Sequence, residues 1–162
     1  MSLISAVISD ANVLIDYVLA NRSILELATK ELCQIYVPIP VFREVRQLSE
    51  AEAKRLGLTL LEPTLEQLQM ALAPLPGVSF QDRLCLNVAK ENSWVCMTND
   101  GKLRKQCQID GVRIVWGFDL MLELNKRGLL SKREASKTAQ TIHDGNLRIT
   151  QRTVDRFISK LN

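Results

Sequence analysis

The sequence predicts an α/β domain, with short apolar strands alternating with helices around a parallel sheet and a helical extension at the C-terminus. Three observations point there. Apolar runs at residues 3–9, 35–37, 58–61, 94–98 and 112–116 are strand-sized, and helical segments separate them. Glycine and proline punctuate the junctions, with Pro38, Pro40, Gly57, Pro63, Pro74 and Gly128 closing elements. Beyond residue 117 the helix signals continue but no strand follows. Strand–helix alternation of this kind builds βαβ units, and these bury a parallel sheet on both faces.

The elements follow in order. Residues 3–9 read as a buried strand, after which Asp10-Ala-Asn12 leads into a helix. Ser23 and Glu26 have capping-box spacing for a second helix reaching about Cys33. The strand at 35–37 is stopped by prolines, and a helix is expected over 41–48, continuing or repeated through Leu56. After the strand at 58–61, Thr64 and Gln67 form a second capping box for a helix ending before Pro74. A turn-rich loop leads to Ser79, which caps a helix from Phe80 to about Glu91. The strand at 94–98 ends in the turn Asn99-Asp100-Gly101, followed by the helix KLRKQC. The turn Asp110-Gly111 precedes the last strand, and a helix over 118–126 follows it. Ser131 opens one further helix, Asp144-Gly145 breaks the chain, and Thr150 opens another. We divide the chain into a core domain at residues 1–130 and a basic extension at 131–162 packed on it.

Composition narrows the function classes. At 162 residues the chain suits a single domain, and 46% hydrophobic with 24% charged residues is ordinary for a soluble globular protein. No apolar run has membrane-spanning length, so no membrane partner is expected. The apolar start lacks a basic leader region and is interrupted by Asp10 and Asp16, so it reads as strand and helix rather than a signal peptide. Cys33, Cys85, Cys96 and Cys107 show no C-x-x-C spacing and His143 is the sole histidine, which argues against zinc. We read the cysteines as small core residues in a reducing, cytoplasmic setting. Residues 126–162 carry nine basic against three acidic side chains, a net +6, leaving −3 for the rest of a chain of net charge +3. That concentration favours a polyanionic partner.

Ligands of parallel sheets bind outside the carboxyl ends of the strands. Asp10 and Asp100 each sit just past a strand, Asp82 sits in the first turn of the helix opened by Ser79, and Glu44 follows the second strand. A parallel topology brings all of them to one edge. Singly, each also has an ordinary structural role open to it: a helix cap for Asp10, a favourable first-turn charge after Ser79 for Asp82, a turn for Asp100, a solvated helix position for Glu44.

Their flanks carry a resemblance. ISDANVLID, PIPVFREV, SFQDRLCLNVAK and VCMTNDGKLRK resemble, in order, the four motifs of the PIN-domain ribonucleases, over roughly residues 3–117. The VapC-like toxins of toxin–antitoxin pairs are the most similar group, although the basic tail from Ser131 onward exceeds those compact proteins. The resemblance implies a three-layer α/β/α fold and a metal-dependent endoribonuclease, a hydrolase acting on RNA phosphodiester bonds. It implies that Asp10, Glu44, Asp82 and Asp100 are catalytic and hold Mg²⁺ or Mn²⁺, with Asn12 and Thr98 orienting carboxylates or water. A homodimer and an antitoxin partner are further expectations from the same source. The alternative is a PIN-like RNA- or protein-binding module with little catalysis.

Other residues are open to two readings. Lys102, Arg104 and Lys105 could meet RNA phosphates or form a solvated helix face, and Arg83 could pair with a carboxylate or phosphate. Val154, Phe157, Ile158 and Leu161 make one apolar helical face, beside a basic stripe of Arg152, Arg156 and Lys160. Trp94 and Trp116 read as core or rim packing, and His143 as a turn residue.

Overall fold

In the computed structural model, residues 5–162 are described, so positions 3 and 4 of the first expected strand lie outside the described residues. Five strands form one parallel sheet: β1 (Ala6–Ser9), β2 (Gln34–Pro38), β3 (Leu58–Leu61), β4 (Val95–Met97) and β5 (Ile114–Val115). Their order is β3-β2-β1-β4-β5, with Val7 opposite Ile35 on one side and Val95 on the other. The chain therefore builds outward from β1 to β3, then returns to build β4 and β5 on the opposite side. The reversal falls between β1 and β4, the place where a parallel sheet opens a crevice at its carboxyl edge.

Helices cover both faces. On one side α6 (Phe80–Asn92) packs on β1, β2 and β4, flanked by α5 (Leu65–Leu72) and α7 (Gly101–Ile109). On the other, α1 (Ala11–Ala20), α2 (Arg22–Glu31), α8 (Asp119–Lys126) and α9 (Lys132–Gly145) pack together. This is the three-layer α/β/α arrangement. The sheet contributes Val7, Ile8, Ile35, Val37, Cys96 and Met97 to the core, all fully buried. Fully apolar strands are what a sheet covered on both faces requires. No helix among the described residues is long and apolar enough to cross a membrane.

The caps explain most boundaries. Thr64 and Gln67 form the complete reciprocal capping box ahead of α5. Ser79, Ser131 and Thr150 each accept a backbone N–H three residues on, opening α6, α9 and α10 (Gln151–Ile158). Two expectations fail. Ser23 caps nothing: α2 begins at Arg22, Asn21 ends α1 and precedes α2 directly, and the Ser23 hydroxyl turns back to Asn21 Oδ1 at 2.5 Å. The helix expected over 41–48 stops almost at once, because α3 spans only Ile39–Phe42. Beyond it Glu44 N–H donates to Val41 O and Val45 N–H to Phe42 O, i to i−3 turns. α3 buries Val41 and Phe42, and the turns beyond it still bury Val45 and Leu48. Apolar residues spaced three or four apart fit either backbone. The chain reforms a helix only at α4 (Glu50–Arg55), where Ser49 caps it.

The extension is part of the packed body. α9 lies on α1 and α8 with Ala135, Ala139 and Ile142 buried. The Phe157 ring of α10 packs on Phe118 at a centroid distance of 4.9 Å. Asn125 anchors the terminus: it accepts from Asn162 N–H at 2.9 Å and donates to Asn162 O at 3.3 Å. Phe157→Ala is expected to lower the unfolding free energy by about 3 kcal/mol, measured by urea denaturation. A loss below about 1 kcal/mol would mean that α10 packs only loosely on the domain.

Candidate functional site

Asp10 leaves the end of β1 at the crevice and is 2% exposed. Its backbone N–H still donates to Met97 O of β4, at 3.2 Å, so strand pairing sets its position. Its carboxylate caps α1, with Oδ1 accepting from Val13 N–H at 3.0 Å. Its other oxygen, Oδ2, accepts the Thr98 hydroxyl at 2.5 Å. Thr98 Oγ1 in turn accepts Asp100 N–H at 3.0 Å, and Asp100 Oδ1 accepts Leu103 N–H at 2.8 Å to cap α7. One threonine thus ties the two strand ends and both aspartates into a chain of hydrogen bonds. Asp82 enters from the first turn of α6, where Ser79 Oγ accepts its N–H at 3.1 Å.

These carboxyl groups sense one another. Burial, opposed by the Thr98 and Val13 hydrogen bonds, raises Asp10 to about 6, with the charges of Asp82 and Asp100 adding to the rise. Burial likewise lifts Asp82 to about 6, with Asp100 and Glu44 contributing. Glu44 itself is exposed and is raised by partial burial. Cys85 lies fully buried beneath, donating from Sγ to Ser9 O at 3.6 Å. Its thiol is pushed well up by burial and then by Asp10 and Asp82. Among the described residues no ion pair reaches the cluster, although the Arg104 guanidinium senses the Asp100 charge. The ion pairs among the described residues, Arg22–Glu52 and Arg127–Glu123, lie elsewhere.

The expected residues fare differently. Asp10, Asp82 and Asp100 share one electrostatic neighbourhood, with Glu44 coupled through Asp82. Glu44 reaches that rim from a turn beyond α3 rather than from a helix. Thr98 is buried and bonded to Asp10, whereas Asn12 is exposed and lines the adjoining cavity with no bond to a carboxylate. Arg83 pairs with no acid: its Nε donates to Met70 O at 2.9 Å and its Nη1 is buried without a partner. Lys102 and Lys105 are exposed, and Arg104 lies over the Trp116 ring. Trp94 stacks on Tyr36 at 4.0 Å, as rim packing. His143 lies within the last turn of α9 rather than in a turn, its Nδ1 against Ile149 O.

Two contributors escaped the sequence reading. Asp16, raised to about 6 by burial, accepts both bonds from Asn146 Nδ2, at 3.1 and 3.3 Å. Asn99 accepts Gly117 N–H at 2.9 Å and lines two cavities. No local signal marks Asp16, since its partner is far away in sequence. Asn99 does sit in the turn signal before Gly101.

Among the described residues no three Asp, Glu, His or Cys side chains stand close enough to form a ready-made metal cage. The donor set is nonetheless one of hard oxygens with excess negative charge. Mg²⁺ suits such an open site, because it keeps several waters and takes one or two carboxylates plus substrate phosphate. No protein-family model matches the chain, and no curated protein matches it.

A carboxyl held near 6 in the fold and near 3.8 unfolded binds more protons when folded, so stability falls as pH rises between those values. The metal-free protein is therefore expected to be more stable at pH 5 than at pH 7, by differential scanning calorimetry. Asp10→Asn, which keeps the α1 cap, is expected to stabilise the metal-free protein at pH 7 by on the order of 2 kcal/mol and to flatten this pH dependence. A destabilised variant would show that the charge is not a burden on the fold.

Proposed function

We propose that the chain is a divalent-metal-dependent endoribonuclease of the PIN-like kind. The observation that carries this reading is that Asp10 and Asp82, at the crevice between β1 and β4, are raised to about 6 by burial and then by neighbouring carboxylates, with no ion pair to either among the described residues. A fold that needed these groups only as caps would gain from neutral residues at a buried position. Carboxylates that raise one another's proton affinity also attract a divalent cation, which relieves the same repulsion.

In this reading Asp10, Asp82 and Asp100 hold Mg²⁺ or Mn²⁺, with Glu44 at the rim. The ion supplies an acidified water and neutralises charge developing on the phosphate. The protein's own work is orientation. Thr98 and Val13 N–H fix both oxygens of Asp10, and Leu103 N–H fixes one oxygen of Asp100. The other Asp100 oxygen has no protein partner among the described residues, and Asp100 lines the adjoining cavity. Protons compete with the cation for Asp10 and Asp82, so activity rises with pH through about 6.

The open spacing of the acids favours a second reading, a PIN-like module that binds RNA or protein with little catalysis. By resemblance to the VapC-like toxins, the proposal extends to cytoplasmic location, a homodimer and an antitoxin partner. Cleavage of a total RNA pool with Mg²⁺, Mn²⁺ or EDTA separates the two readings. The nuclease reading expects metal-dependent cutting that EDTA abolishes and that falls at least about a hundredfold in Asp100→Asn. Equal cutting by both proteins, or none by either, would favour the binding module.

A further inference from the structure

Asp100 of the acidic cluster lines a groove that the core domain and the C-terminal extension build together. A cavity of about 870 Å³ runs from Asp100 past Lys102 to Asn146 and Arg148. A second, of about 250 Å³, lies between Trp116 and α10, above Phe118 and Phe157. The two share Asn99, Arg148 and Ile149 as lining residues, so they adjoin along one face.

The groove is cationic and amphipathic. Lys102, Arg148, Arg156 and Lys160 are exposed along it, and none is in an ion pair among the described residues. Its acids are Asp100 at the mouth, Asp16, which accepts from Asn146, and Asp119, which accepts Trp116 N–H at 2.7 Å, so the four cations outnumber them by one. Trp116 is 44% exposed, with the Arg104 guanidinium 3.5 Å from its ring centroid. Arg104 Nε is buried with no protein partner. An indole bearing a guanidinium is a platform on which an unstacked base can extend the stack. At about 250 Å³ the second cavity falls just below the size of drug-sized sites, so it admits a single ring rather than a duplex.

We propose that this groove is the path of a single-stranded RNA segment leaving the acidic site, with a base lodged at Trp116 and phosphates on Arg148, Arg156 and Lys160. The assignment rests on the nuclease reading for the identity of the strand and makes the extension part of substrate binding. Duplex RNA hides its bases in the stack, whereas a single strand presents both bases and phosphates to such a surface.

The test is fluorescence anisotropy of a labelled single-stranded RNA with the full chain in EDTA, so that binding is read without cleavage. Trp116→Ala is expected to weaken binding about tenfold. Arg148→Ala combined with Arg156→Ala is expected to lower the slope of log K against log salt by about 1.4. Both arginines are exposed, so this pair decides the matter even if Trp116→Ala fails to fold, which circular dichroism reports. Wild-type affinity in both variants would overturn the groove. So would duplex RNA binding as tightly as single strand, or polyglutamate displacing RNA charge for charge, which would point to an acidic protein segment as the occupant. Mn²⁺-dependent cleavage is read in parallel on the same preparations. Cleavage with variant-insensitive binding overturns the groove alone, and Trp116-dependent binding without cleavage overturns the nuclease alone.

Discussion

The Thr98 hydroxyl, donating to the Asp10 carboxylate at 2.5 Å, is the contact on which the rest of the site depends. It spans the seam between β1 and β4, where the order of the sheet reverses. Through the same oxygen it accepts Asp100 N–H, so one side chain sets the relation between two acids carried by different strands. Parallel pairing of Ser9 with Met97 holds the two strand ends level, and Asp10 N–H continues that ladder by one bond. Loss of the Thr98 hydroxyl would leave a buried carboxylate short of a donor, which costs far more than an average hydrogen bond contributes.

Capping and repulsion pull against each other at this edge. Asp10 and Asp100 both satisfy the first turn of a helix, and a negative charge there is favourable. Burying Asp10 and Asp82 is not, and burial first, with the neighbouring carboxylates adding to it, raises both to about 6. A sequence selected for stability alone would place a serine or an asparagine at such caps, as α6 and α9 do with Ser79 and Ser131. Local rules broken at one spot, inside a fold that obeys them elsewhere, mark where function is carried.

Much of this was legible in the sequence, and the failures have physical causes. All five strands fall within or beside the apolar runs that announce them, because a sheet covered on both faces leaves no polar alternation to confuse the reading. The Thr64 capping box and the Ser79, Ser131 and Thr150 caps were legible because a cap is a local bond. Ser23 misled because the motif needs a free helix start, and Asn21 had taken that position. The segment after Phe42 misled because apolar spacing does not distinguish a helix from a string of tight turns. At the site, strand ends and helix starts place Asp10, Asp82 and Asp100, whereas Thr98 was expected only from the PIN-domain resemblance. Asp16 and the Trp116 groove could not be read, because Asn146, Arg148 and α10 reach them only through tertiary packing.

The central claim is that the crowded carboxyl groups form a cation site. Direct titration of Mn²⁺ onto the RNA-free protein, followed by electron paramagnetic resonance of the free ion, tests it most directly. The account predicts saturable binding above pH 6 that weakens as pH falls below the Asp10 and Asp82 values of about 6, and that is lost in Asp82→Asn. Absence of binding, or binding indifferent to both pH and Asp82→Asn, would contradict it.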